Sequence, residues 1–412
     1  MKRPMTVLAR NLRATICALS AVTMIALPQG SIAQAQTADL TQKISEYREK
    51  LAEYTKARAA YEVVAGPYWA AIGEKRAERA AKRRNKERTT LDDYVLAQPP
   101  VYSGPPKPED PEQRRIGEEY MPVVADFLKN AEEHFGFVPE RPAGDDQYRH
   151  AYAQLALAAG LTPEQCVKIY AFESTGNGGY DIQAGLEYGL PHERAISTAL
   201  GYNQLLATNS ISLLAEVGDK FVAALHEKAE AADGERRVVL QKKIATLKKM
   251  IAFSHTVPNQ WSEHAKLAET PKGLGVHAII LDIDISPLLQ VEKLLTSVNY
   301  AKRLGFAKPL KAAELEMMNL TGDGSGFDMV TMSEEMRKKI PTSNFFQRRG
   351  YERNQIAITN NTVAQLIAAT DTKMQSEAQL NGARALAAAF EVFSETADET
   401  SRGGARLGST GN

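Results

Sequence analysis

Cysteine, tryptophan and net charge are all scarce in this 412-residue chain, and each scarcity removes a class of explanation. There are two cysteines, Cys17 and Cys166, and the first lies in a leader-like stretch. A processed chain keeps Cys166 alone, so neither an intrachain disulfide nor a thiolate metal site can be assembled from it. The 50 basic and 50 acidic residues cancel, which argues against nucleic acid as the main partner. Beyond the N-terminus no apolar run approaches the ~20 residues that span a bilayer. His255, His264 and His277 lack metal-ligand spacing, and there is no phosphate loop or nucleotide fingerprint. No metal and no cofactor is expected.

What is present begins with the N-terminus. Lys2, Arg3, Arg10 and Arg13 precede an apolar stretch from Ala14 to Leu27, and Ala33-Gln34-Ala35 offers a small-residue cleavage site. Residues 1–35 read as a cleavable signal peptide, which implies a periplasmic protein with no transmembrane segment in the mature chain. Its removal leaves 46 basic against 50 acidic residues, a mildly acidic chain.

Residues 36–98 form an N-terminal helical segment in this reading. Leu40, Ile44, Tyr47, Leu51 and Tyr54 alternate steps of four and three, the coiled-coil period, until Arg58 interrupts the seam ahead of Tyr61. Gly66-Pro67 predicts an end to this helix, and a second helical stretch runs from Tyr68 to Arg88. Its end is basic: Lys75, Arg76, Arg79, Lys82, Arg83, Arg84, Lys86 and Arg88. Such a run is either a solvated face or a contact with anionic cell-wall polymer or lipid headgroups. Residues 99–111 are proline-rich and predict a stiff linker. Helical patterning dominates residues 112–394, with expected helices at 112–135, 146–159, 163–174, 193–200, 203–232, 235–254, 286–304, 310–319 and 361–393. The best strand-like run is Val276–Asp284, and residues 395–412 read as a disordered tail.

Chemistry concentrates in three places. Thr162-Pro163-Glu164-Gln165 supplies an N-cap threonine, a proline at the first helical position and a capping-box glutamine. From that start Cys166, Ile169, Tyr170 and Glu173 share one stripe, which points the carboxyl of Glu173 inward. A carboxyl that loses hydration holds its proton to higher pH, as a general acid must. The glycine-rich segment Ser174–Gly179 follows, then Gly201-Tyr202-Asn203-Gln204-Leu205, then Met317-Met318-Asn319-Leu320-Thr321-Gly322.

Taken in order, these segments resemble the lytic transglycosylases of the lysozyme-like superfamily. In that family Glu-Ser opens a glycine-bearing loop, Gly-Leu-Met-Gln-Leu opens the next helix, and Ala-Tyr-Asn-x-Gly follows. Glu173-Ser174, Gly201 with Gln204-Leu205, and Asn319 with Gly322 match, while Met318 stands where the family has tyrosine. The resemblance covers roughly residues 145–330. It implies a mainly α protein in which a lysozyme-like catalytic domain follows the N-terminal segment. It also implies cleavage of peptidoglycan glycan strands between MurNAc and GlcNAc, with Glu173 as general acid and base and 1,6-anhydro ends as product. Ser174, Tyr202, Gln204 and Asn319 would bind substrate. An envelope protein could dock on the N-terminal helices. Asp181 or Glu187, as a second carboxylate, would convert the reaction to hydrolysis, and the alternative to an enzyme is a catalytically silent glycan-binding or scaffolding protein. Asn319–Gly326 has the alternating oxygens of a calcium loop, but its twelfth position is Val330, where a bidentate glutamate is required.

Overall fold

The computed structural model describes residues 29–111, 120–186 and 195–393, and of residues 29–40 the backbone alone. Most of the expected signal peptide, the expected tail and Glu187 lie outside the described residues. The chain is mainly α-helical. Among the described residues there is no β-strand, only isolated bridges such as Gln183–Leu200 and Leu200–Leu205.

The helices are α1 (Gln29–Arg84), α2 (Val124–Phe135), α3 (Asp145–Ala158), α4 (Pro163–Glu173), α5 (Ala207–Ala231), α6 (Gly234–Ser254), α7 (Trp261–Ala268) and α8 (Pro271–His277). They continue with α9 (Ser286–Arg303), α10 (Ala312–Thr321), α11 (Asp323–Thr331), α12 (Glu334–Lys339), α13 (Arg348–Tyr351), α14 (Gln355–Thr359) and α15 (Val363–Glu377). A final helix, α16, covers 381–393. The expected helix at 193–200 does not form over its described part, where Leu200 instead bridges to Gln183 and Leu205. The single helix expected over 361–393 breaks between residues 377 and 381. The strand-like run Val276–Asp284 becomes the end of α8 and a buried 3-10 turn at Ala278–Leu281, so its mixed apolar character reflects burial on all sides rather than a sheet.

α1 differs most from expectation. Gly66-Pro67 does not end it, and Pro67 lies inside one continuous helix. An internal proline removes a helical hydrogen bond and crowds the preceding turn, so the helix must be held by its surroundings. The Tyr68 hydroxyl lies 3.1 Å from Ala97 O and 2.6 Å from Ser343 Oγ. Trp69 packs on Tyr351 at 5.6 Å. Among the described residues, contacts divide the chain within α1 and not at the proline-rich stretch: residues 29–59 group with 103–111, and residues 60–102 group with the described residues from 120 onward. In the first unit Ile44, Tyr47, Leu51, Tyr54 and Arg58 are half-buried beside exposed neighbours, in the register of the expected seam.

In the second unit the basic end of α1 is drawn into the body. Arg79 is 2% exposed, and its guanidinium donates to Asp93 O (2.8 Å) and Asn344 O (2.7 Å) while lying 4.5 Å from the centre of the Tyr94 ring. Arg76 donates to Phe346 O. Lys82 pairs with Asp93 and Arg83 with Asp328, both at 2.6 Å. Half of the basic run is therefore consumed internally, whereas Arg84, Lys86 and Arg88 remain exposed. An opening of about 870 Å³ lies at this end, lined by Arg83, Lys86, Arg88, Arg303, Phe327 and Met332 among others.

Most of the remaining helices enclose one large apolar core running from Phe127 to Phe390, and a smaller one gathers Met329, Phe345, Tyr351 and Val363. α5 and α6 form a hairpin whose close approach depends on Gly218, where a Cβ would fall 2.6 Å from Ile251. Lys243 on α6 is buried against Glu140 (2.9 Å), Asp282 (2.9 Å) and Asp284 (2.7 Å), satisfying its ammonium within the body.

Arg79→Ala tests whether the second half of α1 belongs to the body. It strands two buried carbonyls, so the cost should be on the order of 2–4 kcal/mol, read as a lower denaturation midpoint. Arg84→Ala, on the exposed side, should leave the midpoint unchanged.

Candidate active site

α4 starts as its sequence dictates. Thr162 Oγ1 accepts from Gln165 N (3.1 Å), Gln165 Oε1 accepts from Thr162 N (2.9 Å), and Pro163 occupies the first turn. The stripe of Cys166, Ile169 and Tyr170 is fully buried. Burial pushes the Cys166 thiol up to about 12, which leaves it a small core residue and no nucleophile. Glu173, the last residue of α4, is half-buried.

The loop after Glu173 is tightly held. Thr175 has φ 52° and Gly176 φ 65°. A left-handed threonine is costly and persists only where its surroundings impose it. Here the first turn of α16 does so: Gly176 O accepts from Ala383 N (2.9 Å) and Asn177 Oδ1 from Gly382 N (3.1 Å). The Tyr170 hydroxyl donates to Gly178 O at 2.7 Å. A Cβ at Gly176 would fall 2.4 Å from Glu377 O, so the approach requires glycine.

Ser174 joins the first segment to the second. Its hydroxyl donates to Tyr202 O at 2.8 Å, and its side chain is 3% exposed. The expected substrate contact is thus replaced by an internal strut. Tyr202 is likewise fully buried, packed against Tyr148 (4.8 Å), Tyr152 (5.7 Å) and Tyr170 (4.5 Å), and its ring is out of reach of a sugar. Asn203 N donates to Gln290 Oε1 and Asn203 Nδ2 to Gln290 O, both at 2.9 Å, which ties the turn to α9. Gly201 has φ 81°, and a Cβ there would fall 2.5 Å from Gln290 Nε2. Gln204, at φ 43°, donates to Ile182 O (3.0 Å) and Gly201 O (2.8 Å). Its amide N–H groups serve the turn. The inward roles of Ser174 and Tyr202 were illegible in sequence because a polar loop and a core knot share the same residue types.

The third segment supplies what sequence reading missed. α10 packs against α4, and Glu316 on it is fully buried. Its carboxyl lies within hydrogen-bonding reach of Glu173. Asn319 Nδ2 is 3.4 Å from Glu316 Oε2, so Asn319 does reach the site, though by way of Glu316. One sign was available: an acidic residue set directly among Leu315, Met317 and Met318 in a helical run. Met318 is 1% exposed and belongs to the core. The stretch with calcium-loop spacing is not a loop; it is the junction of α10 and α11 at Gly322. Asp181 pairs with Arg141 at 3.4 Å.

Two carboxyls in contact in an apolar surround cannot both ionise. Burial raises Glu173 to about 7, against smaller downward pulls from Glu316, Lys293 and Lys373. Burial, and then the charge of Glu173, hold Glu316 well above the ordinary carboxyl range. Lys293 on α9 also faces Glu216, raised mainly by burial and then by Asp323. Lys373 lies 4.6 Å from the Phe172 ring and 3.8 Å from Glu377.

Two outcomes follow. Because the native Glu173 carboxyl keeps its proton in a range where the unfolded chain has released it, stability falls as pH rises from 4.5 to about 7. Glu173→Gln lacks that titration and should match the parent in thermal unfolding near pH 4 but exceed it near pH 8, by on the order of 1–3 kcal/mol. Met318→Tyr adds volume to a closed core and should destabilise by about 1–3 kcal/mol, measured by chemical denaturation.

No family model matches this chain, and no curated protein or solved structure matches it either, so the reading of the site rests on its own residues.

Proposed function

We propose that this protein is an exported peptidoglycan lytic transglycosylase with a lysozyme-like catalytic domain and Glu173 as its general acid and base. The observation that carries the reading is the state of that carboxyl: it ends α4, stays partly open to solvent, and keeps its proton close to neutral pH. The rigid loop at Thr175–Gly176 and the strut from Ser174 to Tyr202 fix the backbone immediately after it.

In this reaction the Glu173 proton passes to the glycosidic oxygen as the C1–O bond breaks. The sugar's own 6-hydroxyl oxygen then bonds to C1, closing the anhydro ring, and its proton returns to Glu173. Water takes no part, and the carboxyl ends as it began. General acid–base help of this kind contributes ~10²–10⁴-fold in rate. Paired carboxylates of ordinary glycosidases stand about 5–5.5 Å apart when retaining and about 6.5–9.5 Å when inverting. Glu173 and Glu316 are in hydrogen-bonding contact instead, which leaves no space between them for a sugar or a water. That favours the route with one acting carboxyl.

A second reading, a glycan-binding protein without activity, is favoured by the core position of Met318 and the inward-facing Tyr202 and Gln204. These leave few side chains to stabilise an oxocarbenium-like charge.

Mass spectrometry of products from purified sacculi separates the readings. The parent should release fragments ending in 1,6-anhydro sugar, lighter by one water than hydrolysed ends, and Glu173→Gln should release none while still folding. Equal release by both proteins would remove Glu173 from the chemistry. Sacculus binding without release by either would establish the silent reading.

A further inference from the structure

The chemistry above uses one carboxyl, yet the site contains two. Glu316 projects from the middle of α10 into a closed environment, with a side chain that is fully buried. A carboxyl so placed is costly unless it is neutral and hydrogen-bonded. One neighbour is the Asn319 amide, 3.4 Å from Oε2, and another is the Glu173 carboxyl. Oε1 of Glu316 meets no N–H or O–H donor among the described residues. No described cation forms an ion pair with it within 4.0 Å, and its burial exceeds that of Glu173. Of the two, Glu316 is the one that must keep its proton.

We propose that Glu316 is a positioning residue that remains protonated throughout turnover and donates its O–H to the Glu173 carboxylate, aiming the opposite oxygen of Glu173 at the substrate. The proposal rests on Glu173 being the acid and base. When Glu173 has given up its proton, the O–H of Glu316 stabilises the resulting anion from the buried side. Without it, the remaining pulls come from Lys293 on α9 and Lys373 on α15, the latter shared with Glu377. Glu216 on α5 competes for the field of Lys293, and Asp323 at the start of α11 adds its negative charge beside Glu216. Burial would then dominate, and Glu173 would hold its proton too firmly to serve as an acid at neutral pH.

Two variants separate this role from simple packing. In Glu316→Gln an amide N–H replaces the O–H, so the donor survives. In Glu316→Leu the donor is lost while an apolar core is retained. The Glu173 titration is read directly by ¹³C NMR on protein labelled at glutamate side-chain carboxyls, with the resonance assigned by its absence in Glu173→Gln. Release of anhydro ends is followed over the same pH range. Glu316→Leu should move the Glu173 midpoint upward by about one unit or more, carry the pH–rate profile with it, and lower the rate at pH 7 about tenfold. Glu316→Gln should stay within a few tenths of a unit of the parent. An unmoved midpoint in Glu316→Leu, or an equal shift in both variants, overturns the proposal. A midpoint that moves in a protein releasing no glycan fragments would show the contact to be real and would instead overturn the reading of Glu173 as a catalytic acid.

Discussion

A turn buried in the middle of a helical body has to satisfy its backbone polar groups from within, and the Gly201–Leu205 turn is the constraint around which this structure is arranged. Leu200 and Leu205 exchange backbone hydrogen bonds at 3.0 Å each way, and Gly201 N reaches Ile182 O at 2.9 Å. Ser174 supplies a donor from the end of α4, Gln290 two acceptors (its Oε1 and its backbone O) from α9, and Gln204 its own amide. Four tyrosines from α3, α4 and the turn itself fill the space around it. The turn thereby fixes where α4 ends, and with it the position of Glu173.

The site is governed by the same low-dielectric surround that stabilises the fold. Charges there are expensive, so a carboxyl stays neutral, pairs with a cation, or shares a proton. Lys243 takes the second course, held by three carboxylates. Glu173 and Glu316 take the third, and the difference in their burial orders the two deprotonations. Two of the three non-glycine residues with positive φ among the described residues, Thr175 and Gln204, lie in the two turns flanking this site. Strain held there by surrounding contacts is the pattern expected of a pre-organised site.

α1 shows how packing overrides local preference. Proline disfavours a helix interior by about 3 kcal/mol, yet Pro67 is accommodated where Tyr68 and Trp69 are anchored on the body. The basic run that follows reads in sequence as one exposed patch. In the fold it divides between internal partners, Asp93, Asp328 and backbone carbonyls, and an exposed remainder at Arg84, Lys86 and Arg88.

The helical class, the capped start of α4, the buried stripe through Cys166 and Tyr170, and the placing of Glu173 at the end of that stripe were determined by the sequence itself. Each depends on residues three or four positions apart, and a helix converts that spacing directly into a shared face. The seam through Ile44, Tyr47 and Leu51 was legible for the same reason. Only the tertiary structure decided that Ser174 and Tyr202 turn inward, that Met318 is core, and that α1 passes through Pro67. It alone brought Glu316 to Glu173 across 143 positions of sequence. Periodicity records which face a side chain occupies, but it carries nothing about what another helix presents to that face. The ionisation of the site is set by such a long-range contact.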